Sequence, residues 1–202
     1  MSSSEPVRVY GYAASINVRK VLWACEEIGI DYLREDCAGP ALRAKNPFGL
    51  VPVLEDGDVT IRESNTIVRY LAASRGRVDL LPATPAARAR VEQWMDWQAS
   101  DFNNTWRYAF QALVRQNPAY RDEHAIATSL VQLTHAAGIV DREVTTFIAG
   151  DTFTVADISI GLSVHRWYSV PGDKPAYAAL RAYYERLCAR PGFARYGRDG
   201  GP

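Results

Sequence analysis

The chain has 202 residues, 48% of them hydrophobic, which is enough to bury a globular core. Its 23 basic and 23 acidic side chains balance, so charge gives no reason to expect a nucleic acid or an anionic membrane as partner. No apolar run reaches the roughly 18 residues that a membrane span needs. Three widely spaced cysteines without a CxxC pair suggest free thiols in a reducing compartment, so we expect a cytoplasmic protein.

The start of the chain predicts a strand followed by a helix. Residues 7–10 form a short β-branched run that Gly11 closes. Ser15 or Asn17 then lies near the start of a helix that Gly29 ends. Its apolar positions follow helical spacing: Val18, Val21, Leu22, Cys25 and Ile28. We expect Cys25, on this apolar face, to be a buried structural thiol.

A second strand is predicted at residues 32–36, and a hairpin follows at a distance. Residues 38–48 contain a glycine and two prolines, so we expect an irregular connection with at most one helical turn. The EDGD turn joins two short β-branched runs, and Ser64 is a good N-cap for the amphipathic helix after them. The order β-α-β, then β-β-α, predicts a thioredoxin-like domain with one parallel and one antiparallel strand pair.

The second half of the chain is helical in pattern. Residues 75–85 are rich in glycine and proline, and we place domains at 1–78 and 86–202 with a linker at about 79–85. A first helix runs from Pro85 to about residue 114.

An apolar stripe at alternating four- and three-residue steps then predicts a bundle helix: Ile126, Leu130, Leu133, Ala137, Val140, Val144 and Phe147. Thr154 and Asp157 have the spacing of a capping box, in which a hydroxyl and a carboxylate satisfy each other's amides. A last helix spans roughly residues 177–188. We therefore predict an α/β domain followed by an all-α bundle domain.

Three motifs in this order resemble the cytosolic glutathione S-transferases. They are SINVRKVLWACEEIG at 15–29, NPFGLVPVLEDGDVTIRESNTIVRYL at 46–71 and FTVADISIG at 153–161. The resemblance is to bacterial, theta- or delta-like members with a serine-type site, and it covers about residues 7–196. It implies glutathione as co-substrate, an apolar electrophile as second substrate, and a homodimer.

Such an enzyme must hold the glutathione thiol, whose pKa in solution is about 8.5, as the thiolate at neutral pH. The resemblance matches Ser15 to the catalytic serine, whose hydroxyl would donate to the sulfur. A helix N-terminus and one hydroxyl together can lower a thiol pKa by about one to two units. Serine is also common as a plain helix cap, so the residues alone leave that alternative open. Asn17 is the rival donor, and Tyr12 ranks third.

The glutathione-binding residues are expected around the hairpin. The resemblance implies a cis Val51-Pro52 bond that frees the Val51 backbone for the cysteinyl part of glutathione, although an ordinary edge proline is the alternative. Ser64 would bind the α-carboxylate at a helix N-terminus, and Glu63 would take the α-ammonium. Asn65 adds a polar contact. A capped helix with an acidic start would be stable without any ligand.

The glycyl carboxylate needs a cation. Many relatives carry a basic residue just before VPVL, but this chain has Leu50, so Arg43 and Lys45 become the candidates. The electrophile pocket is expected against the helical domain and is assigned to Trp106, Arg107, Phe110 and Trp167. Most aromatic residues there would serve equally well as packing residues. The three histidines have no ligand-like spacing, so no metal is expected.

Two other functions use the same features. Glutathione-dependent reduction of peroxides or disulfides would keep the same site. A non-catalytic binding or assembly module would keep only the fold. Retention of Ser15 with the Glu63-Ser64 pair favours a working transferase site.

Overall fold

The computed structural model of the chain describes residues 5–200, so the outer ends of both predicted domains, residues 1–4 and 201–202, lie outside it. Its first half contains a four-stranded sheet, with strands β1 (Val7–Tyr10), β2 (Tyr32–Glu35), β3 (Val53–Asp56) and β4 (Val59–Arg62). The strand order is β2-β1-β3-β4. β1 is parallel to β2, and β3 is antiparallel to β4, as predicted. β1 also pairs antiparallel with β3, which joins the two predicted pairs into one sheet.

Helices α1 (Ile16–Ile28), α2 (Gly39–Lys45) and α3 (Ser64–Ser74) complete this half. The apolar face of α1 is buried, and Cys25 is fully buried within it, as predicted. The expectation of an irregular segment at 38–48 is wrong, because α2 is a seven-residue helix. Pro40 lies in its first turn, where the missing N–H removes no helical hydrogen bond. Ser64 is the first helical residue of α3, and Glu63 takes the N-cap position predicted for Ser64.

The second half is helical, which confirms the predicted thioredoxin-like domain followed by a helical bundle domain. Its helices are α4 (Pro85–Trp97), α5 (Asn103–Ala109), α6 (Glu123–Glu143), α7 (Val155–Ser169), α8 (Ala178–Cys188) and α9 (Pro191–Phe193). Two π-helical turns, Gln98–Phe102 and Phe110–Val114, make the segment 85–114 continuous, as predicted. No helix within residues 5–200 is long and apolar enough to cross a membrane.

The predicted capping box at the start of α7 is confirmed. The Asp157 carboxylate accepts hydrogen bonds from the Thr154 amide at 2.8 Å and from the Ile148 amide and the Tyr183 hydroxyl at 2.9 Å each. Burial raises the pKa of Asp157 to about 6. The predicted stripe ends early, because α6 stops at Glu143 and Phe147 lies in a turn, its amide donating to the Gly150 carbonyl.

The segment between α3 and α4 is packed more closely than a loose linker. Leu80 and Leu81 are buried. The Leu80 carbonyl also accepts a hydrogen bond of 3.0 Å from the Val155 amide at the start of α7. The connection is thereby held against the second domain.

A buried polar network joins the two domains. Lys20 of α1 is 2% exposed, and its Nζ donates to Asn65 Oδ1 of α3 at 3.3 Å and to Gln98 Oε1 at 2.6 Å. Gln98 lies in the first π-helical turn and donates onward to Ser163 Oγ of α7 at 2.9 Å. The Lys20 side chain therefore connects α1, α3 and the helical domain.

This network predicts a pH-dependent stability. Burial lowers the pKa of Lys20 to about 7, whereas an unfolded lysine titrates near about 10.4. Between these values the unfolded chain binds more protons than the folded chain, so the free energy of unfolding rises with pH. The part of the free energy of unfolding that Lys20 adds in this way is lost as pH falls toward 7. Denaturant unfolding should show a rise of about 2 kcal/mol, between about pH 7.5 and about pH 9.5, that the Lys20→Met variant lacks.

Lys45→Met is the matched control, because Lys45 is partly exposed and its partner Glu55 raises its pKa. That variant should keep the wild-type pH dependence across the same range. An identical slope in the wild-type and Lys20→Met proteins would show that Lys20 stays protonated in the folded chain.

Candidate active site

A cleft of about 290 Å³ lies between the loop after β1 and the helices of the second domain. Five of the predicted site residues line it: Tyr12, Ser15, Asn17, Trp106 and Arg107. Leu50, which stands where a basic residue was expected, also lines the cleft and is 60% exposed. Residues predicted for thiol activation and residues predicted for the electrophile therefore share one space.

Ser15 occupies the N-cap position of α1 but does not act as a side-chain cap. Its backbone is extended, with φ −75° and ψ 121°, and its hydroxyl makes no capping hydrogen bond. The backbone holds the residue in place, since its amide donates to the Tyr12 carbonyl at 3.1 Å and its carbonyl accepts from the Arg19 amide at 3.0 Å. The hydroxyl is thus available at a helix N-terminus that faces the cleft.

Asn17 and Ser64 meet across the junction of α1 and α3. Ser64 Oγ donates to Asn17 Oδ1 at 3.2 Å, although 47 positions separate the two residues. Ser64 is buried, while Asn17 is half-buried and lines the cleft. The predicted thiol region and the predicted γ-glutamyl region are therefore contiguous.

Glu63 has an uncommon backbone conformation. Its φ of 66° and ψ of 113° lie where side chains other than glycine are rarely found. The conformation puts the residue immediately before the N-terminus of α3, and its own side chain is exposed. Strain of this kind costs of order 1–3 kcal/mol and is found most often at ligand-binding positions.

Val51 is held beside the start of α1. The Val51-Pro52 peptide bond is cis, as the resemblance implied. Gly11 has a φ of +145°, and a Cβ there would lie 2.6 Å from Val18 Cγ2 and 2.9 Å from Val51 Cβ. Only glycine therefore lets the backbone after β1 pass between these two side chains, and its role as a spacer was not recognised from the sequence.

The two basic candidates for the glycyl carboxylate lie outside the lining of the cleft. Lys45 Nζ donates to Glu55 Oε1 at 2.7 Å and lies 4.1 Å from the centre of the Tyr10 ring. The Arg43 guanidinium is exposed and packs over Gly49. Lys45 is therefore paired with Glu55 of β3, whereas the Arg43 guanidinium remains accessible.

Seven other predicted residues do not line the cleft: Val51, Pro52, Glu63, Ser64, Asn65, Phe110 and Trp167. Asn65 accepts from Lys20 and from Ser159 Oγ at 2.9 Å and donates to the Met95 carbonyl at 2.6 Å, so its polar atoms face buried partners. Phe110 is fully buried beneath the cleft.

Trp167 is also buried, and it stacks on Tyr177 with ring centres 5.7 Å apart. Successive residues of a helix point about 100° apart, so Arg166 can face the cleft while Trp167 faces away.

Two arginines that line the cleft were not predicted as site residues. Arg115 Nη2 donates to the Ala14 carbonyl at 2.9 Å, and Arg166 is almost fully buried, its guanidinium 3.9 Å from the centre of the Phe110 ring. The sequence signal for Arg166 was a basic side chain in the last turn of the mostly apolar helix VADISIGLSVHRWYS. In residues 5–200 no group of three or more His, Cys, Asp or Glu side chains is placed to hold a metal ion.

Comparisons with known proteins identify the family of the chain. Residues 9–78 match the family model of the glutathione S-transferase N-terminal domain, and residues 103–191 match that of the C-terminal domain. Glutathione S-transferase GstB of Escherichia coli is 35% identical, over 92% of this chain and 94% of its own length. Glutathione S-transferase 3 of Zea mays is 33% identical, over 94% of this chain and 92% of its own.

A solved structure is similar over nearly the whole chain. It is the theta class glutathione S-transferase of the citrus canker pathogen Xanthomonas axonopodis pv. citri with glutathione bound. Its TM-score is 0.88 at 38% identity, and the match covers 95% of this chain and 96% of that one. With both domain models and these relatives in agreement, the chain belongs to the glutathione S-transferase family.

Proposed function

We propose that this glutathione transferase ionises the thiol of glutathione at Ser15 and transfers the sulfur to an electrophile held in the cleft. The observation that carries the proposal is the free hydroxyl of Ser15 at the N-terminus of α1, facing the cleft. Asn17 is the second donor in reach, and Tyr12, half exposed on the same wall, is the third.

The required stabilisation of the thiolate is modest. Lowering a thiol pKa by one unit takes about 1.4 kcal/mol of preference for the ionised form. The N-terminus of α1 and one hydroxyl donor contribute roughly 1 kcal/mol each. Together they lower the thiol pKa by about 1.5 units, to about 7, so about half of the bound thiol is ionised at neutral pH. Arg115 and Arg166, which line the same cleft, add positive potential of the same sign.

The two ends of glutathione are proposed to lie on either side of the thiol. Ser64, at the N-terminus of α3, binds the α-carboxylate through its hydroxyl and amide, and Glu63 accepts from the α-ammonium. The backbone of Val51 pairs with the cysteinyl part. Arg43 is the better candidate for the glycyl carboxylate, since Lys45 is bound to Glu55. Asn65 supports this region from behind by joining α3 to α4.

The electrophile would lie between Leu50 and Trp106, which provide apolar surface on opposite walls of the cleft. Sulfur attacks the electrophilic carbon, a carbon–sulfur bond forms, and the leaving group departs with the electron pair of the broken bond. Arg107 lies at the exposed rim, where it can stabilise that departing charge. Phe110 supports the cleft floor, and Trp167 is left out of the pocket.

We also propose where the protein works and how its chain is organised. The three cysteines are free, which suits the reducing cytoplasm in which glutathione functions, and conjugation of reactive electrophiles serves detoxification. Cys25 does not suit thiol exchange, since burial raises the pKa of its thiol to about 12. We also propose a homodimer, and a domain division at 1–78 and 86–202 with a linker at about 79–85.

Removing the Ser15 hydroxyl should raise the pKa of the bound thiol. In Ser15→Ala we expect a rise of about one unit, because the thiolate loses a hydrogen bond worth roughly 1–1.5 kcal/mol. The ultraviolet absorbance of the glutathione thiolate, titrated in the complex, measures it. kcat/KM with a neutral chloronitroarene should fall about 10-fold below the new pKa and recover above it.

Control variants distinguish the effect of the Ser15 hydroxyl on the thiol pKa from the effect of the helix N-terminus. Ser15→Thr keeps a hydroxyl and should retain most of the thiolate fraction, and Ser100→Ala removes an exposed hydroxyl elsewhere on the helical domain. A normal thiol pKa in Ser15→Ala together with a raised one in Asn17→Ala would transfer the donor role to Asn17. Normal values in both variants would contradict the assignment.

Glu63 and Ser64 should bind only the γ-glutamyl end. We expect Ser64→Ala and Glu63→Gln each to weaken binding of S-methylglutathione by about 10-fold or more, as for the loss of a charge-assisted hydrogen bond. Calorimetry measures the effect. Neither variant should alter binding of S-methylcysteinylglycine, which lacks that end.

Thr66→Ala is the matched control on the same turn of α3, because Thr66 is exposed. Equal losses for the tripeptide and the dipeptide would mean that the variants disturb the fold rather than the γ-glutamyl contact.

A further inference from the structure

The cleft carries more positive charge than activation of a thiol requires. Arg107, Arg115 and Arg166 all line it, and no acidic side chain is among its lining residues. All three arginines come from the second domain: Arg107 from α5, Arg115 from the position just after the second π-helical turn, and Arg166 from α7. The residues assigned to glutathione belong to the first domain, so this charge lies on the facing wall.

Arg166 is the buried member of the group. It is 2% exposed, and its guanidinium lies over the ring of Phe110, at 3.9 Å, and near the ring of Trp106, at 5.7 Å. No hydrogen-bond acceptor within residues 5–200 reaches its buried Nη1 atom. Buried donors in native proteins are nearly always paired, so an unpaired guanidinium nitrogen at a cleft indicates a ligand.

A second donor at the same place is also unpaired. The buried Nε1 of Trp106, whose ring faces Arg166, lacks an acceptor among the described residues. The buried Oδ1 of Asn103, which also lines the cleft, lacks a partner too. A half-turn of that amide would present its NH₂ group instead. The cleft therefore offers an acceptor-rich ligand several donors at its helical wall.

No acidic side chain within residues 5–200 forms an ion pair with the Arg166 guanidinium. Burial, and then the positive charges of Arg19 and Arg115, lower the pKa of Arg166 to about 9, which leaves it ionised at neutral pH. An anion placed against Arg166 would offset both the burial and the repulsion between the guanidinium groups. Arg115 is fixed at the mouth of the cleft by its hydrogen bond to the Ala14 carbonyl, next to Ser15.

We propose that Arg166, with Arg115 and Arg107, binds an anionic group on the electrophile, so that the preferred second substrates are small aryl electrophiles bearing a carboxylate or sulfonate. The inference rests on the proposed function. The aryl ring lies against Trp106, the anion reaches Arg166, and the reactive carbon faces the thiolate at Ser15. With a chloroarene, the carbon–sulfur bond forms, the carbon–chlorine bond breaks, chloride leaves with the electron pair, and the carboxylate is unchanged.

A matched pair of substrates tests the proposal. A chloronitrobenzoate and the corresponding chloronitrobenzamide have the same leaving group and nearly the same shape, and each enzymatic kcat/KM is divided by the uncatalysed rate with glutathione. The wild-type protein should prefer the benzoate by about 10-fold or more. Arg166→Met, which keeps the apolar stem, should lower that preference by about 10- to 100-fold.

Further variants identify the cause of the change. Arg166→Lys keeps a charge without the planar fork and should retain part of the preference. Arg107→Met and Arg115→Met change exposed arginines and should lower the preference in the same direction by smaller factors, which keeps the test open if Arg166→Met fails to fold. Arg181→Met removes a mostly exposed arginine on α8 and should leave the preference unchanged.

The outcomes separate this proposal from the transferase function. Conjugation of both substrates with no preference for the anion, or an Arg166→Met effect confined to the KM for glutathione, would overturn the anion site and leave the transferase function standing. No conjugation of either substrate would overturn the transferase function. Calorimetry of benzoate against benzamide needs no turnover, so tighter benzoate binding that Arg166→Met abolishes supports the anion site even then.

Discussion

The buried amino group of Lys20 holds together elements that form the cleft. It lies one turn into α1, behind the helix start that carries Ser15, and it donates to Asn65, which follows Ser64 in α3. Its other acceptor, Gln98, precedes the helix that carries Trp106 and Arg107. α1, the helical segment that leads into α5, and α7 through Ser163 therefore share one hydrogen-bond network next to the cleft. A site placed on such rigid elements keeps its geometry better than one on loops.

That constraint explains why local irregularities gather at the cleft. The strained backbone of Glu63 and the narrow passage at Gly11 persist because packing of α1 against α3 fixes the chain on both sides. The two π-helical turns flank α5 and set the direction of its side chains. Each feature costs stability locally, and the interdomain network and core offset that cost.

Features with local causes could be predicted from the sequence. The EDGD turn, the Thr154 capping box and the spacing of α1 were sufficient for the fold class, and Ser15 was correctly expected at a helix start. The predictions that failed concern features that depend on tertiary packing. The prolines around α2 look the same in a loop as in a first helical turn. Arg166 was missed because the side of a buried helix that faces a cleft depends on its neighbours, which periodicity cannot reveal.

The charge layout couples the two halves of the proposed chemistry. The arginines that would bind an anionic electrophile also lie across the cleft from Ser15, where their potential favours the thiolate. A bound carboxylate neutralises part of that potential. The substrate that binds most tightly therefore also reduces the electrostatic stabilisation of the thiolate. In the proposed complex, hydrogen bonding by Ser15 and the N-terminus of α1 would not be screened in this way, because both would touch the sulfur directly. The cleft can therefore bind an anion without losing the ionised thiol only if the short-range donors on α1 carry most of the pKa depression.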